Sequence, residues 1–463
     1  MAITITTQTA PLEPVYNPQV YEFTSTNYTK QGFRYLVDIY SGNSTTLITR
    51  QKIAPQLDGS GKVDISRILA NYVSVDFDGI SQTVNPASNS FFKYSIKIGE
   101  EYKPDDWVFT GTTYVGFDVQ LKGSPLTPNT FIVGDQIIIK TSNDSSLLGL
   151  HTVVAPVSTT LVTTDFSSLI IGSKTGTTNY ANGQKLTFSG LTAVTNQTVF
   201  NGVVSFKNYP NYSSNLYTIN TVNTFKQALT DLPLDNFYAT ENQSIWLNWY
   251  IKKDTPYLYN FIIETPEAGA FVMDAVNFDG LTEIVQFKYV FSNTSFDYDT
   301  TKFVDVYIAR SSGAVYEQMS TKYRIWLDKR CRINEYEVAF QDRMGSIGSF
   351  AFQLRDKETG TIQRIQYNKE LPTIAASTDR GYTNIWIGVD KELDLNTDWM
   401  TEEMSIYFEQ LLTSPYTWLK LDDGLYYAIL ITDSSFEIEH QRNKRLIRKT
   451  IKIKLANRDK INI

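Results

Sequence analysis

A mainly β, multi-domain β-sandwich architecture is predicted by three features of this sequence. Tyr and Phe are abundant, 29 and 26 of 463 residues, and their broad rings suit the half-buried pleated surface of a sheet. Apolar and polar residues alternate in FRYLVDIY (33–40), FFKYSIKI (91–98), FVDVYIAR (303–310) and TIKIKLA (450–456), which is the period of a strand with one covered face. Helical spacing is confined to one or two short stretches. At this length a single core is too large, so two to four domains are expected.

Taken in order, residues 1–20 are polar and contain Pro11, Pro14 and Pro18. Proline fixes φ and removes a ladder donor, so this segment reads as an N-terminal arm. The first β-sandwich domain follows, discontinuous over 21–110 and 201–290. In its first strand Phe33, Tyr35, Val37 and Ile39 share one face while Arg34 and Asp38 take the other. A turn at Ser41–Asn43, a second strand at Thr46–Ile53 and the turn cluster LDGSG come next. In DISRILANY the period changes: Ile65, Ile68, Leu69 and Tyr72 fall on one helical face, with Asp64 at the N-cap position.

Residues 111–200 hold 8 charged residues and 26 Ser plus Thr, a break in composition that marks an inserted small β-barrel-like domain. Its Gly134-Asp135 dipeptide reads as a β-turn. The first domain's pattern resumes in VVSFKNY and IWLNWYI (245–251). The second β domain spans 291–463. Its helix, 402–412, carries the stripe Met404, Tyr407, Phe408, Leu411 and Leu412, with Glu402 and Glu403 at the positive end and Pro415 as terminator. FTSTNY (23–28) before one strand and FSNTSF (291–296) before another form a weak echo, open to reading as a duplication or as two similar sandwich openings.

The formal net charge of −7 gives the whole chain no attraction for nucleic-acid phosphates. Cys331 is the single cysteine and His151 and His440 the two histidines, too few for a disulfide or a Cys/His zinc cluster. Neither histidine stands near a nucleophile signature. No secretory signal is expected from MAITITTQTAPLEP, which lacks a basic start and a long apolar run, and no stretch has the length of a membrane span.

Four constellations invite a functional reading, and each has a structural counterpart. FQDRMGSIGSFAFQL (340–354) sets Gly345 and Gly348 beside Asp342 and Arg343, either a ligand loop or a hairpin tip between two apolar arms. Trp246, Trp249 and Tyr250 could stack on sugars, although 249 points away from 246 and 250. Asp390, Glu392 and Asp394 alternate on a strand-like run, either paired carboxylates for glycoside chemistry or surface charge. From His440 to Ile463 there are nine Lys or Arg against one acid, Asp459, either a phosphate patch or a strand whose lysines face solvent or acidic neighbours such as Asp422-Asp423, Glu437 and Glu439. None of these is complete, so the expected catalytic, cofactor-binding and metal-binding sets are all empty.

Several segments together resemble tail-region virion structural proteins of tailed phages that infect Bacteroidota, crAss-like phages among them. The resemblance rests on RQKIAPQLDGSGKVDISRILANYVS, on the 340–354 hairpin, and on LNTDWMTEEMSIYFEQLLTSPYTWL with the ending YYAILITDSSFEIEHQRNKRLIRKTIKIKLAN. It covers the first and last thirds of the chain. It implies a structural role as a tail ring, hub or adaptor subunit, built in the host cytoplasm and located in the virion. The partners implied are other tail proteins and copies of the chain itself. A cyclic homo-oligomer is expected, with the basic C-terminal region of one subunit against an acidic face of the next. The alternative is a tail-associated carbohydrate-binding or carbohydrate-active protein that recognises a host surface glycan.

Overall fold

The computed structural model describes residues 3–462 apart from 44–45, 78, 80–84, 103–106, 111–119, 124–135, 143–148, 153–154, 158–166, 171–179, 187–191, 221–224, 253–257, 268, 277–282, 292–296, 313–314, 331–334, 355, 372, 433–446 and 458. The fold is mainly β, with seven sheets among the described residues and one α-helix longer than a single turn, Glu402–Thr413. None of these sheets closes into a barrel. The chain divides into two units, one of Met1–Glu13, Pro18–Arg67 and Lys93–Thr198, the other of Pro14–Asn17, Ile68–Phe92 and Val199–Ile463.

In the first unit, Ile3–Thr7 pairs antiparallel with Val20–Ser25, which pairs in turn with Ser60–Asp64. Residues 1–20, read as an arm, thus contribute a sheet strand ahead of their prolines, and Leu12 is fully buried. The threonines of ITITT disguise that strand, since they occupy its more exposed positions. Arg34–Ser41 pairs with both Leu47–Ile53 and Phe91–Glu101, so it is an interior strand. Tyr35, Val37 and Ile39 are buried as the alternation requires, but Leu36 and Asp38 are buried too. Asp38 is tolerated there because Arg50, directly opposite, donates from Nε at 2.6 Å and from a terminal nitrogen at 2.7 Å.

Between residues 107 and 186 the strands form two sheets. Gly149–Thr152, Gln136–Ser142, Tyr180–Leu186 and Trp107–Thr110 lie side by side in that order, and Gln120–Gly123, Ser167–Ile170 and Ala155–Val157 make the other. His151 falls in the first of them; Gly134 and Asp135 lie outside the described residues.

The second unit holds three sheets and one large apolar core. The core runs from Ile219 to Ile453 in sequence and includes Trp249, Phe261, Phe287, Phe350, Tyr407 and Phe408. Residues 201–290 and 291–463, assigned to separate domains on sequence pattern, share it. The reason is strand pairing: Leu258–Thr265 bonds to Gly269–Val276 on one side and to Phe303–Ser312 on the other. FSNTSF lies outside the described residues beyond Phe291, so the echo gains no structural support.

The largest sheet has the order Ile347–Phe352, Tyr336–Gln341, Thr417–Lys420, Tyr426–Ile431, Thr450–Leu455, Tyr382–Asn396, Lys357–Asn368, with Asp459–Asn462 also on Tyr382–Asn396. Glu402–Thr413 is the helix read at 402–412. Thr401 caps it, its hydroxyl accepting from the Met404 amide at 3.2 Å, and Met404, Tyr407, Phe408 and Leu411 are buried. The DISRILANY helix is shorter than its pattern, an α-turn at Ser66–Leu69 and a 3-10 turn at Ala70–Tyr72. Ile65 and Leu69 are buried while Tyr72 is exposed.

Arg50→Ala strands the buried Asp38 carboxylate and is expected to cost about 3–5 kcal/mol. The double change Asp38→Leu with Arg50→Leu should recover most of that loss. Urea unfolding of the three proteins checks it; equal losses in single and double variants would contradict the role assigned to the pair.

Candidate functional site

The stretch 340–354 is a hairpin. Tyr336–Gln341 and Ile347–Phe352 pair from Tyr336↔Phe352 to Gln341↔Ile347, with Asp342–Ser346 as the tip. Gly345 has φ +81°, and a Cβ there would lie 2.2 Å from the Asn201 carbonyl oxygen. Gly348 has ordinary backbone, but a Cβ would meet the Tyr407 hydroxyl at 2.2 Å and the Phe340 ring at 2.5 Å. One glycine is required by conformation and the other by space.

Asp342 faces inward. Its Oδ2 accepts from the Thr230 hydroxyl at 2.6 Å and the Asp231 amide at 3.3 Å, and its Oδ1 from the Ser346 amide at 2.8 Å. Burial first, and the neighbouring Asp231 charge second, push Asp342 up to about 7, against those hydrogen bonds. Gln410 joins the helix to this tip, donating to Asp231 Oδ2 at 2.8 Å and accepting from the Arg343 amide at 2.9 Å. At 3% exposure Asp342 is out of reach of a substrate. It locks the turn.

A polar seam ties the hairpin to Ser244–Ile251. The Ser244 amide donates to Glu337 at 2.9 Å, the Ser349 hydroxyl donates to the Ser244 carbonyl at 2.5 Å, and Asn248 donates to the Gly345 carbonyl at 3.2 Å. Glu337 also accepts from Lys420 and Tyr426, both at 3.0 Å. Burial raises its carboxyl above the usual range, and Lys420 pulls it back. In this seam Trp246 packs among Phe77, Tyr426 and Lys288, while Trp249 points into the main core against Phe261. Their opposite directions agree with the alternation, but both faces of the strand are covered. Trp246, Trp249 and Tyr250 are buried and present no sugar platform.

The acidic and basic runs meet each other. Glu392 lies opposite Lys454, and Asp394 opposite Lys452, in adjacent strands; Asp390 lies opposite Thr361. Two lysines of the basic run thus stand opposite acids within the same sheet. Ile451 and Ile453 are buried as predicted. Cys331, His440, Glu437 and Glu439 lie outside the described residues, and among the described residues no cluster of three His, Cys, Asp or Glu side chains is placed to hold a metal ion.

A crevice in the second unit is lined by Tyr238, Asp328, Arg330, Asp398 and Trp399 among others. Its charges are committed to one another: Arg330 bonds Asp328 and Asp398, each at 2.6 Å. Arg448 stacks on Trp399 at 4.6 Å, covering one face of its ring. Among its described residues the crevice holds no spare acid–base pair, while Tyr238 and Trp399 are partly exposed.

What sequence reasoning missed is the ribbon at the end of the largest sheet. All twelve residues of Lys357–Asn368 are exposed. Seven of the twenty-five exposed large apolar residues described fall in 362–385: Ile362, Ile365, Tyr367, Leu371, Ile374, Tyr382 and Ile385. Within the ribbon the Trp386 ring folds over Gly388, where a Cβ would lie 2.3 Å from it. The apolar residues Ile362, Ile365 and Tyr367 follow no strict alternation, so no periodic signal marked this strand or its bare faces.

No family model matches the chain, and no curated protein does. Among solved structures, the phage phi92 endosialidase aligns with 98% of this chain and 68% of its own length, at 10% identity and a TM-score of 0.17. A likeness that slight leaves fold and activity to be argued from the chain's own residues. No described helix is long and apolar enough to cross a membrane.

Gly345→Val is expected to destabilise the second unit by roughly 2 kcal/mol or more, combining left-handed strain with the Asn201 clash. Normal stability of the variant would show that the tip relaxes freely. A second expectation concerns pH. Asp342 keeps its proton in the folded chain up to about 7, whereas unfolded aspartate loses it near 3.9. At this position the folded protein therefore binds the extra proton between those values, and the contribution of Asp342 to stability falls as pH rises through that window. Asp342→Asn should gain on wild type by at most about 1.4 kcal/mol per pH unit across it and stay level above. Urea midpoints at several pH values measure the difference; a flat difference would mean that Asp342 ionises normally.

Proposed function

We propose that this chain is a structural subunit of a phage tail, a ring, hub or adaptor component acting through protein–protein interfaces. In this reading it forms a cyclic homo-oligomer joined to other tail proteins and is built in the host cytoplasm. The observation that carries the proposal is the ribbon: exposed apolar side chains on the edge strand of the largest sheet and on the turn beyond it are costly to leave in water and mark a surface meant to be covered. The resemblance of the first and last thirds to tail-region proteins of phages infecting Bacteroidota supports the same reading. The glycan alternative has less support, because its aromatic candidates are buried and Glu392 and Asp394 sit opposite lysines.

Trypsin distinguishes the two. Lys369 and Arg380 at the ribbon's exposed tip should be cut in the isolated chain and strongly protected in purified particles. Equal cleavage in both would leave the ribbon uncovered after assembly and refute an assembly role for it.

A further inference from the structure

The outer edge of Lys357–Asn368 faces no other strand among the described residues. A bare edge of this length is a template for a further strand. The twelve residues contain no proline, and their only charges are Lys357, Glu358 and Arg364, so little on the edge opposes pairing.

We propose that the occupant is a second copy of this same strand, paired antiparallel about a two-fold axis at Thr361. An axis perpendicular to the sheet brings together only residues of the same face. Centred on Thr361, it sets Glu358 opposite Arg364 of the second copy and, by symmetry, Arg364 opposite the second copy's Glu358. Sliding the register two residues either way puts Glu358 opposite Ile362 or Gln366 and loses both ion pairs. The Thr361 register also sets Ile362, half exposed, opposite Gly360, where an added Cβ would meet nothing within 4 Å. Open space on one copy thus receives the bare isoleucine of the other, and Thr361 meets Thr361, a favourable cross-strand pair. Glu358 already bonds Lys391 at 2.9 Å, but both side chains are more than half exposed and such a pair holds weakly, leaving the carboxylate able to accept from Arg364.

Residues 357–365 span about 30 Å at ~3.3 Å per residue, and one strand pair buries less than the ~800 Å² per partner of a standard interface. The dimer is weak in dilute solution and favoured where copies are concentrated. It stands independently of the tail reading, because it concerns the purified chain alone.

The test is disulfide trapping in the full chain with Cys331→Ser. Opposed Cα atoms lie about 4.5–5.5 Å apart, within the ~4.4–6.8 Å a disulfide spans, so Thr361→Cys should give a covalent dimer on mild oxidation. Gln363→Cys, opposite Thr359 in this register, should cross-link far more slowly. Added to Thr361→Cys, either Arg364→Glu or Glu358→Arg should slow dimer formation by about tenfold, and the two reversals together should restore it. If Thr361→Cys cross-links no faster than Gln363→Cys, or if the double reversal fails to restore the rate, the edge serves a different partner and the proposal is wrong.

Discussion

The strand Ser244–Ile251 has no solvent face. All eight of its residues are buried, so side chains must be packed on both of its sides at once. On one side Trp249 enters the large core; on the other Trp246 sits in a small cluster with Ala339 and Ile347 of the hairpin. The polar groups on that second side cannot reach water, and a buried group without a partner costs free energy. Ser244, Asn248, Ser349 and Glu337 bond one another or the hairpin backbone, which ties the hairpin to the strand, while the indole N–H groups of Trp246 and Trp249 and the Asn248 side-chain oxygen are buried without a hydrogen-bond partner among the described residues. The Gly345 turn, the buried Asp342 and the Gln410 link to the helix hold the tip of that hairpin.

Much of this unit was legible residue by residue and little of it pair by pair. The helix was readable because its stripe, acidic first turn and proline all agree, and the observed helix matches it within a residue. Alternation in IWLNWYI correctly opposed Trp246 to Trp249. It could not reveal that the second face was also covered, since period 2 reports orientation and not what lies above. The division at residue 290 failed for the same kind of reason: a strand that bonds neighbours on either side of a supposed boundary leaves no mark in local pattern. ITITT hid as a polar arm because its threonines occupy the more exposed positions.

Charge shows the difference between composition and placement. The C-terminal run looks like a free basic patch when read as a string. Antiparallel pairing sets two of its lysines across from acids some sixty residues earlier, and opposite charges at such positions stabilise a sheet modestly. Asp38 and Arg50 repeat the arrangement in a buried setting, where the consequence of losing one partner is far larger. In both places a charge that stands alone in the string has an opposite charge across from it in the sheet.

The largest sheet joins the buried hairpin to the exposed ribbon through an unbroken series of antiparallel neighbours. Ladder bonds in such a sheet run across the strands. Tension applied along the strands would load many of those bonds together, as in a lap joint, whereas a pull perpendicular to the strands would open them one at a time. The ribbon is thus mechanically strong along its own length and weak to peeling, so the direction of a pull determines how much force it withstands.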